Sequence, residues 1–82
     1  MNENRVLSFF DKITELYPPP GYGDYINIYW ITKSGKKHFY HTQMRNCLIY
    51  HETVNVLYSN LTIPTDWITD ITYIINSVTY HW

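Results

Sequence analysis

The chain has 82 residues and a mass of 9.9 kDa, a length at which a chain forms one domain with a small core, so residues 1–82 are read as a single unit. A formal net charge of −1 and a pI near 6.4 exclude a bulk electrostatic drive toward nucleic acid or an anionic membrane. One cysteine, Cys47, excludes an internal disulfide and a thiolate metal site.

Aromatic residues reach 18% of the chain, and ten Ile and nine Thr stand beside a complete lack of Ala. Phe, Tyr, Met, Ile, Asn and Lys, whose codons are AT-rich, fill 35 positions, against nine for Gly, Ala, Arg and Pro. That bias points to an AT-rich genome, and no structural reason accounts for the missing alanine. The opening Met1-Asn2-Glu3-Asn4-Arg5 carries charges of both signs and leads into an amphipathic stretch, so no signal peptide is expected. No apolar run approaches the ~20 residues that span a bilayer, so a cytoplasmic location with no membrane contact is expected. Asn60-Leu61-Thr62 is a glycosylation sequon that nothing else supports.

Val6, Phe9, Phe10, Ile13, Leu16 and Tyr17 recur every three or four positions, which predicts a helix over 4–17 with Asn2 or Asn4 as its cap. Pro18-Pro19-Pro20 stops it, and Gly21-Tyr22-Gly23-Asp24 turns the chain. From Tyr25 the residues become β-branched and aromatic, and Ser34-Gly35 reads as the two-residue loop of a hairpin over 25–42. With that loop Lys33 faces Lys36, Ile31 faces His38, Trp30 faces Phe39, Tyr29 faces Tyr40 and Ile28 faces His41. Ile26, Ile28, Trp30 and Phe39 would then form an apolar face, and Tyr25, Tyr29, Tyr40, His38, Lys33 and Lys36 the opposite one.

Residues 43–60 fit both periods. Leu48, Tyr50, Val54, Val56 and Tyr58 suit a strand, whereas Met44, Cys47, Leu48, His51, Val54 and Tyr58 suit a helix. The β-branched content favours a third antiparallel strand over 47–58, interrupted near His51-Glu52, with 43–46 as the connecting turn. Thr65 then caps a final helix with the stripe Trp67, Ile68, Ile71, Ile74, Ile75 and Val78, and Asp66 at its positive end. The expected architecture is α+β in the order αβββα, a three-stranded antiparallel sheet with two helices on one face.

Catalytic constellations are sparse. The carboxylates Glu3, Asp11, Glu15, Asp24, Glu52, Asp66 and Asp70 are scattered, mostly on predicted helix surfaces or caps. Cys47 and His51 become a thiol–imidazole pair only if their segment is helical, and a buried inert cysteine is the simpler reading. His38 and His41, three apart on a strand, point to opposite faces and cannot share one ion. Gly21 and Gly23 precede a strand, the wrong order for a phosphate-binding loop. No enzymatic activity, cofactor or metal is expected.

Charge segregation is the strongest signal. Residues 25–51 hold Lys33, Lys36, Lys37 and Arg45 with no acid, giving +4, between flanks of −2 and −3. Tyr25, Tyr29, Lys33, Lys36, Lys37, His38, Tyr40 and Arg45 are therefore the candidate binding residues. The plain reading is that the lysines keep a hairpin tip soluble and the tyrosines pack across strands. A protein interface uses the same residues, because Tyr offers large contact area with a polar tip. Nucleic acid or a nucleotide could stack on the rings and pair with the lysines, but the acidic flanks rank it below protein. Tyr73, Tyr80, His81 and Trp82 sit where a chain normally frays. Trp82 either folds back on the core or joins a partner, and a homodimer through this end or a free strand edge would bury further tyrosines, which makes a homo-oligomeric structural or regulatory protein the third reading of function.

In size, bias and predicted order the chain resembles the small proteins with which phages and other viruses block host defence, such as anti-CRISPR proteins. The resemblance implies a non-enzymatic inhibitor that covers a host protein or protein–nucleic acid complex in the host cytoplasm. It transfers no functional residue.

Overall fold

The computed structural model describes residues 2–16, 25–75 and 78–82. Helix α1 (Asn2–Leu16) is followed by β1 (Tyr25–Ile31), β2 (Lys37–Gln43), a 3-10 turn (Met44–Asn46), β3 (Cys47–Tyr50), β4 (Thr53–Val56) and β5 (Leu61–Pro64). A second 3-10 turn (Thr65–Trp67) leads into β6 (Ile68–Ile75) and β7 (Val78–His81). The class is α+β, and the described residues form one helix and two antiparallel sheets in place of the expected two helices and three-stranded sheet. One sheet runs β2-β1-β6-β7 and the other β3-β4-β5. The chain changes sheet at the two 3-10 turns, forming corners of the kind that let two sheets share one core.

The first helix forms as its spacing requires. Val6, Phe9 and Ile13 are buried, and Phe10 packs beside them. They meet Ile26, Ile28, Trp30, Ile71 and Tyr73 of the four-stranded sheet and Val54 and Ile63 of the other in one cluster. Asn2 and Asn4 both lie inside the helix. The Asn2 side chain donates to the Thr65 carbonyl at 3.1 Å, and the Glu3 carboxylate accepts the Glu52 backbone N–H. The expected roles of Tyr17, the triple proline and Gly21 to Asp24 lie outside the described residues.

The hairpin forms with a loop one residue longer than expected. Thr32 N–H donates to the Lys36 carbonyl at 2.9 Å and Gly35 N–H to the Thr32 carbonyl at 2.8 Å, with Gly35 at φ +86°. Lys33 and Ser34 thus occupy the turn centre, and Gly35 takes the left-handed position that follows it. The register becomes Tyr29 opposite Phe39, Ile28 opposite Tyr40 and Asn27 opposite His41. A slip of one residue turns every side chain of the return strand to the other face.

The single strand expected over 47–58 is two short strands, 47–50 and 53–56, paired in a separate sheet, with 57–60 a turn; its interruption at His51-Glu52 is a full reversal. Both residues have positive φ, 50° and 56°, the pair of left-handed conformations that a two-residue hairpin loop needs. The predicted final helix is instead β6 and β7. Six of the eight residues in Ile68–Ile75 are β-branched, which favours a strand. A bulge explains the misleading period. The β1–β6 register passes from Tyr29 opposite Asp70 to Trp30 opposite Ile68, so one extra residue lets Ile68 and Ile71, three apart, both face the core. Thr65 caps no α-helix: it is buried, and both its N–H and its hydroxyl bond the Glu52 carbonyl, at 2.9 and 3.1 Å. Trp82 folds back against the core, with the Arg5 guanidinium 4.3 Å from its ring centroid.

Candidate functional site

Helix α1 packs on the inner face of the β2-β1-β6-β7 sheet, and among the described residues the outer face carries exposed and half-buried side chains around a buried Thr72. Alternation along β1 and the register place Tyr25, Asn27 and Tyr29 on that face, beside Phe39, His41 and Gln43 of β2 and Asp70 and Thr72 of β6. Tyr29 and Phe39 stack with centroids 5.7 Å apart and planes 21° apart. Tyr25 stacks diagonally on His41 at 4.8 Å and 3°. Phe39 is 60% exposed and Tyr25 42%.

A polar row crosses the centre of the face. His41 Nδ1 and Asn27 Oδ1 are 2.8 Å apart, and Asn27 Nδ2 donates to Thr72 Oγ1 at 3.3 Å. His81 Nδ1 lies 3.1 Å from Asp70 Oδ2. The first two contacts tie His41, through Asn27, to Thr72 of β6.

The structure brings together some of the sequence-predicted residues and separates others. Tyr25 and Tyr29 are on the outer face, Lys37 is at its end, and Lys33 and Lys36 are exposed in the adjoining turn. Arg45, on the first 3-10 turn, donates from Nε and Nη2 to Gln43 Oε1 at 3.3 and 3.1 Å, so its cation stands at the other end of β2. His38 and Tyr40 are on the inner side. His38 stacks on Trp30 at 5.5 Å, and Tyr40 packs against the core. Both were expected beside Tyr29, and the loop's extra residue turned them away. The same shift puts Phe39, expected in the core, on the outer face at 60% exposure. Neither Phe39 nor His41 was among the predicted binding residues, and only Gly35 taken as a bulge instead of a loop centre would have found them.

At the bulge the surface opens into a cleft of about 230 Å³ lined by Tyr29, Trp30, Ile31, Lys37, His38 and Thr69. The Thr69 hydroxyl donates to the Tyr29 carbonyl at 3.3 Å across the bulge. An aromatic wall with one ammonium at the rim suits an apolar or acidic side chain entering from a partner. A second concavity, about 350 Å³, lies at the β4–β5 turn. There Tyr58 is 96% exposed at φ 69°, a conformation that is rare for a bulky residue.

Cys47 is free and half-buried in β3. Burial pushes its thiol up to about 12, and His51 lies in the β3–β4 turn with its ring against Tyr50 at 3.9 Å. Among the described residues no group of three or more His, Cys, Asp or Glu side chains could hold a metal ion, and no helix is long and apolar enough to cross a membrane. Compared with protein-family models, with curated proteins and with solved structures, the chain matches none.

Proposed function

We propose that this is a non-enzymatic binding protein that acts by protein–protein contact through the outer face of the β1–β2 hairpin. The observation that carries this reading is the stacked Tyr29–Phe39 pair, with Phe39 exposed and Tyr29 half-buried, at the end of a face bordered by Lys33, Lys36 and Lys37. None of these lysines has an ion-pair partner among the described residues. Stacked rings bordered by unpaired charge match the core and rim of a contact surface, and aromatic residues carry most of the energy in such surfaces.

Ring geometry favours protein over nucleic acid as the partner. A base-binding platform offers open ring faces to successive bases, whereas here Tyr29 covers one face of Phe39, and Tyr25 one face of His41. The likeness in size and composition to phage-encoded inhibitors makes a host defence protein the target class to examine first.

Quantitative capture from a lysate of the expressing or host cell tests the reading. The arms are the natural chain, a Tyr29→Ala/Phe39→Ala/Lys36→Glu variant, and a control altered at the exposed Thr79 of β7. Two lost rings at about 2 kcal/mol each would lower affinity by roughly three orders of magnitude. Equal recovery of every partner by all three rejects this face. Binding that collapses as salt is raised and is lost on nuclease treatment would assign it to nucleic acid instead.

A further inference from the structure

Hydrogen-bond parity fixes which backbone groups of β2 are unused. The Thr32 N–H to Lys36 carbonyl bond makes residues 32 and 36 a hydrogen-bonded pair of the hairpin. Antiparallel pairing alternates bonded and non-bonded pairs, so His38, Tyr40 and Thr42 direct their N–H and C=O groups toward β1. Lys37, Phe39, His41 and Gln43 direct theirs away from the sheet. An independent bond agrees: Trp82 N–H to the Ile71 carbonyl at 2.8 Å points Ile71 at β7. That leaves Asp70 and Thr72 bonding Tyr29 and Asn27 of β1, and Ile26 and Ile28 bonding β2.

β2 is an outermost strand of its sheet. As an edge strand it has no neighbour among the described residues to take its four outward N–H groups, and of its outward C=O groups the Gln43 carbonyl is already engaged, opening the first 3-10 turn and meeting the Cys47 thiol at 3.9 Å. The other outermost strands, β3, β5 and β7, have four residues each, against seven in β2. Short edges offer little to pair with, and a long one is a template for another strand.

We propose that the partner docks by laying an extended, acid-bearing segment along β2 as a fifth strand of this sheet. This rests on the reading of the outer face as a protein interface and names how the partner engages it. The outward backbone groups belong to Lys37, Phe39, His41 and Gln43, whose side chains stand on the binding face. An added strand therefore gains main-chain bonds and side-chain contacts from the same residues, the usual division between affinity and specificity in strand addition. Charge selects the occupant. Lys33, Lys36, Lys37 and Arg45 flank the edge with no acid between residues 25 and 51. A second copy would set four cations against four, which is how edge lysines prevent self-pairing. An acidic segment would place its carboxylates beside Lys37 at cross-strand distance.

A blocked heptapeptide alternating Glu and Val, with Glu at both ends, is the probe, and the same peptide with Lys for Glu is its control. Amide hydrogen exchange of the full chain reads the outcome residue by residue. The Glu peptide is expected to slow exchange at Phe39 and His41 by about tenfold or more, leaving the already bonded Tyr40 amide unchanged. The Lys peptide should leave all three unchanged. His41→Pro removes one outward donor without touching the β1 ladder and should abolish the effect, whereas His41→Ala, which keeps the donor, should retain it.

No slowing at millimolar Glu peptide, or equal slowing by both peptides, overturns the proposal. So does a free protein that sediments as a dimer with Phe39 and His41 already protected, which would make a second copy the occupant. If partner capture is lost in Tyr29→Ala/Phe39→Ala but survives in His41→Pro, the face stands and strand addition falls. If both variants capture normally, both readings fall.

Discussion

Ile71 and Ile74 separate the strand from the helix that the sequence period favours. On a helical stripe the two are equivalent. In β6 they are not: Ile71 is 0% exposed and Ile74 is 54% exposed. Ile71→Ala removes three carbons from a packed core, a transfer loss of about 2.4 kcal/mol at ~0.8 per carbon. Adding the unfilled cavity brings the total to about 3–4 kcal/mol. At Ile74 half the side chain is already in water and no cavity forms, so Ile74→Ala should cost about 1 kcal/mol. A domain of this size holds about 4–12 kcal/mol in total. With a urea slope of about 1 kcal/mol/M, the midpoint should fall by about 3 M at Ile71 and about 1 M at Ile74. Urea unfolding followed by tryptophan fluorescence measures both. Where Ile71→Ala leaves no folded baseline, Ile71→Val, at about 1 kcal/mol, takes its place. Equal losses at the two positions would refute the strand and restore the helix.

Other expectations follow from the same geometry. Phe39→Ala should cost under about 1 kcal/mol of stability because the ring is mostly in water, whereas Tyr40→Ala, which strips a side chain from the core, should cost about 2 kcal/mol; the hairpin register first expected predicts the reverse order. The Cys47 thiol, pushed up to about 12 by burial, stays protonated in the folded chain while the unfolded chain ionises near ~8.5. Its contribution is constant below that pH and destabilises progressively as pH rises toward 12, so Cys47→Ala should flatten the alkaline fall in urea midpoint relative to the natural chain. Tyr58→Gly relieves a left-handed tyrosine that touches almost nothing, and should leave stability unchanged or raise it by up to about 1 kcal/mol in thermal melts.

The parts of the fold legible in the sequence are those where one period operates alone. Val6, Phe9 and Ile13 show only the helical spacing, and Ile26, Ile28 and Trp30 only the alternation of a strand with one face buried. Reading failed where a local irregularity changed the period. The bulge at Tyr29/Trp30 sets Ile68 and Ile71 on one side at a helix-like spacing, and the left-handed Gly35 adds a residue to the hairpin loop. Each inserts a single residue, and in a structure of period two a single residue reverses inside and outside. The basic, aromatic character of the hairpin was legible because charge is counted without knowing the register. The membership of its face was not: with a two-residue loop the alternation places Tyr40 and His38 there and turns Phe39 and His41 away.

His51-Glu52 shows the remaining limit. Two consecutive left-handed residues are usually supplied by Asn and Gly, so nothing in the local sequence announces a reversal there. Contacts made by the folded chain hold the turn: the Glu3 carboxylate on the Glu52 N–H, and Thr65 on the Glu52 carbonyl. These partners are far apart in sequence, and only the packed helix and second 3-10 turn bring them together.

The most direct test of the outer face as a protein-binding surface is the affinity of a captured protein partner for single variants at facing hairpin positions. Phe39→Ala should weaken binding by about 30-fold, the value of one aromatic anchor of about 2 kcal/mol. Tyr40→Phe, which keeps the core packing and changes only a group on the inner side, should leave binding within twofold of the natural chain. Loss of binding in Tyr40→Phe with full binding in Phe39→Ala would contradict the account.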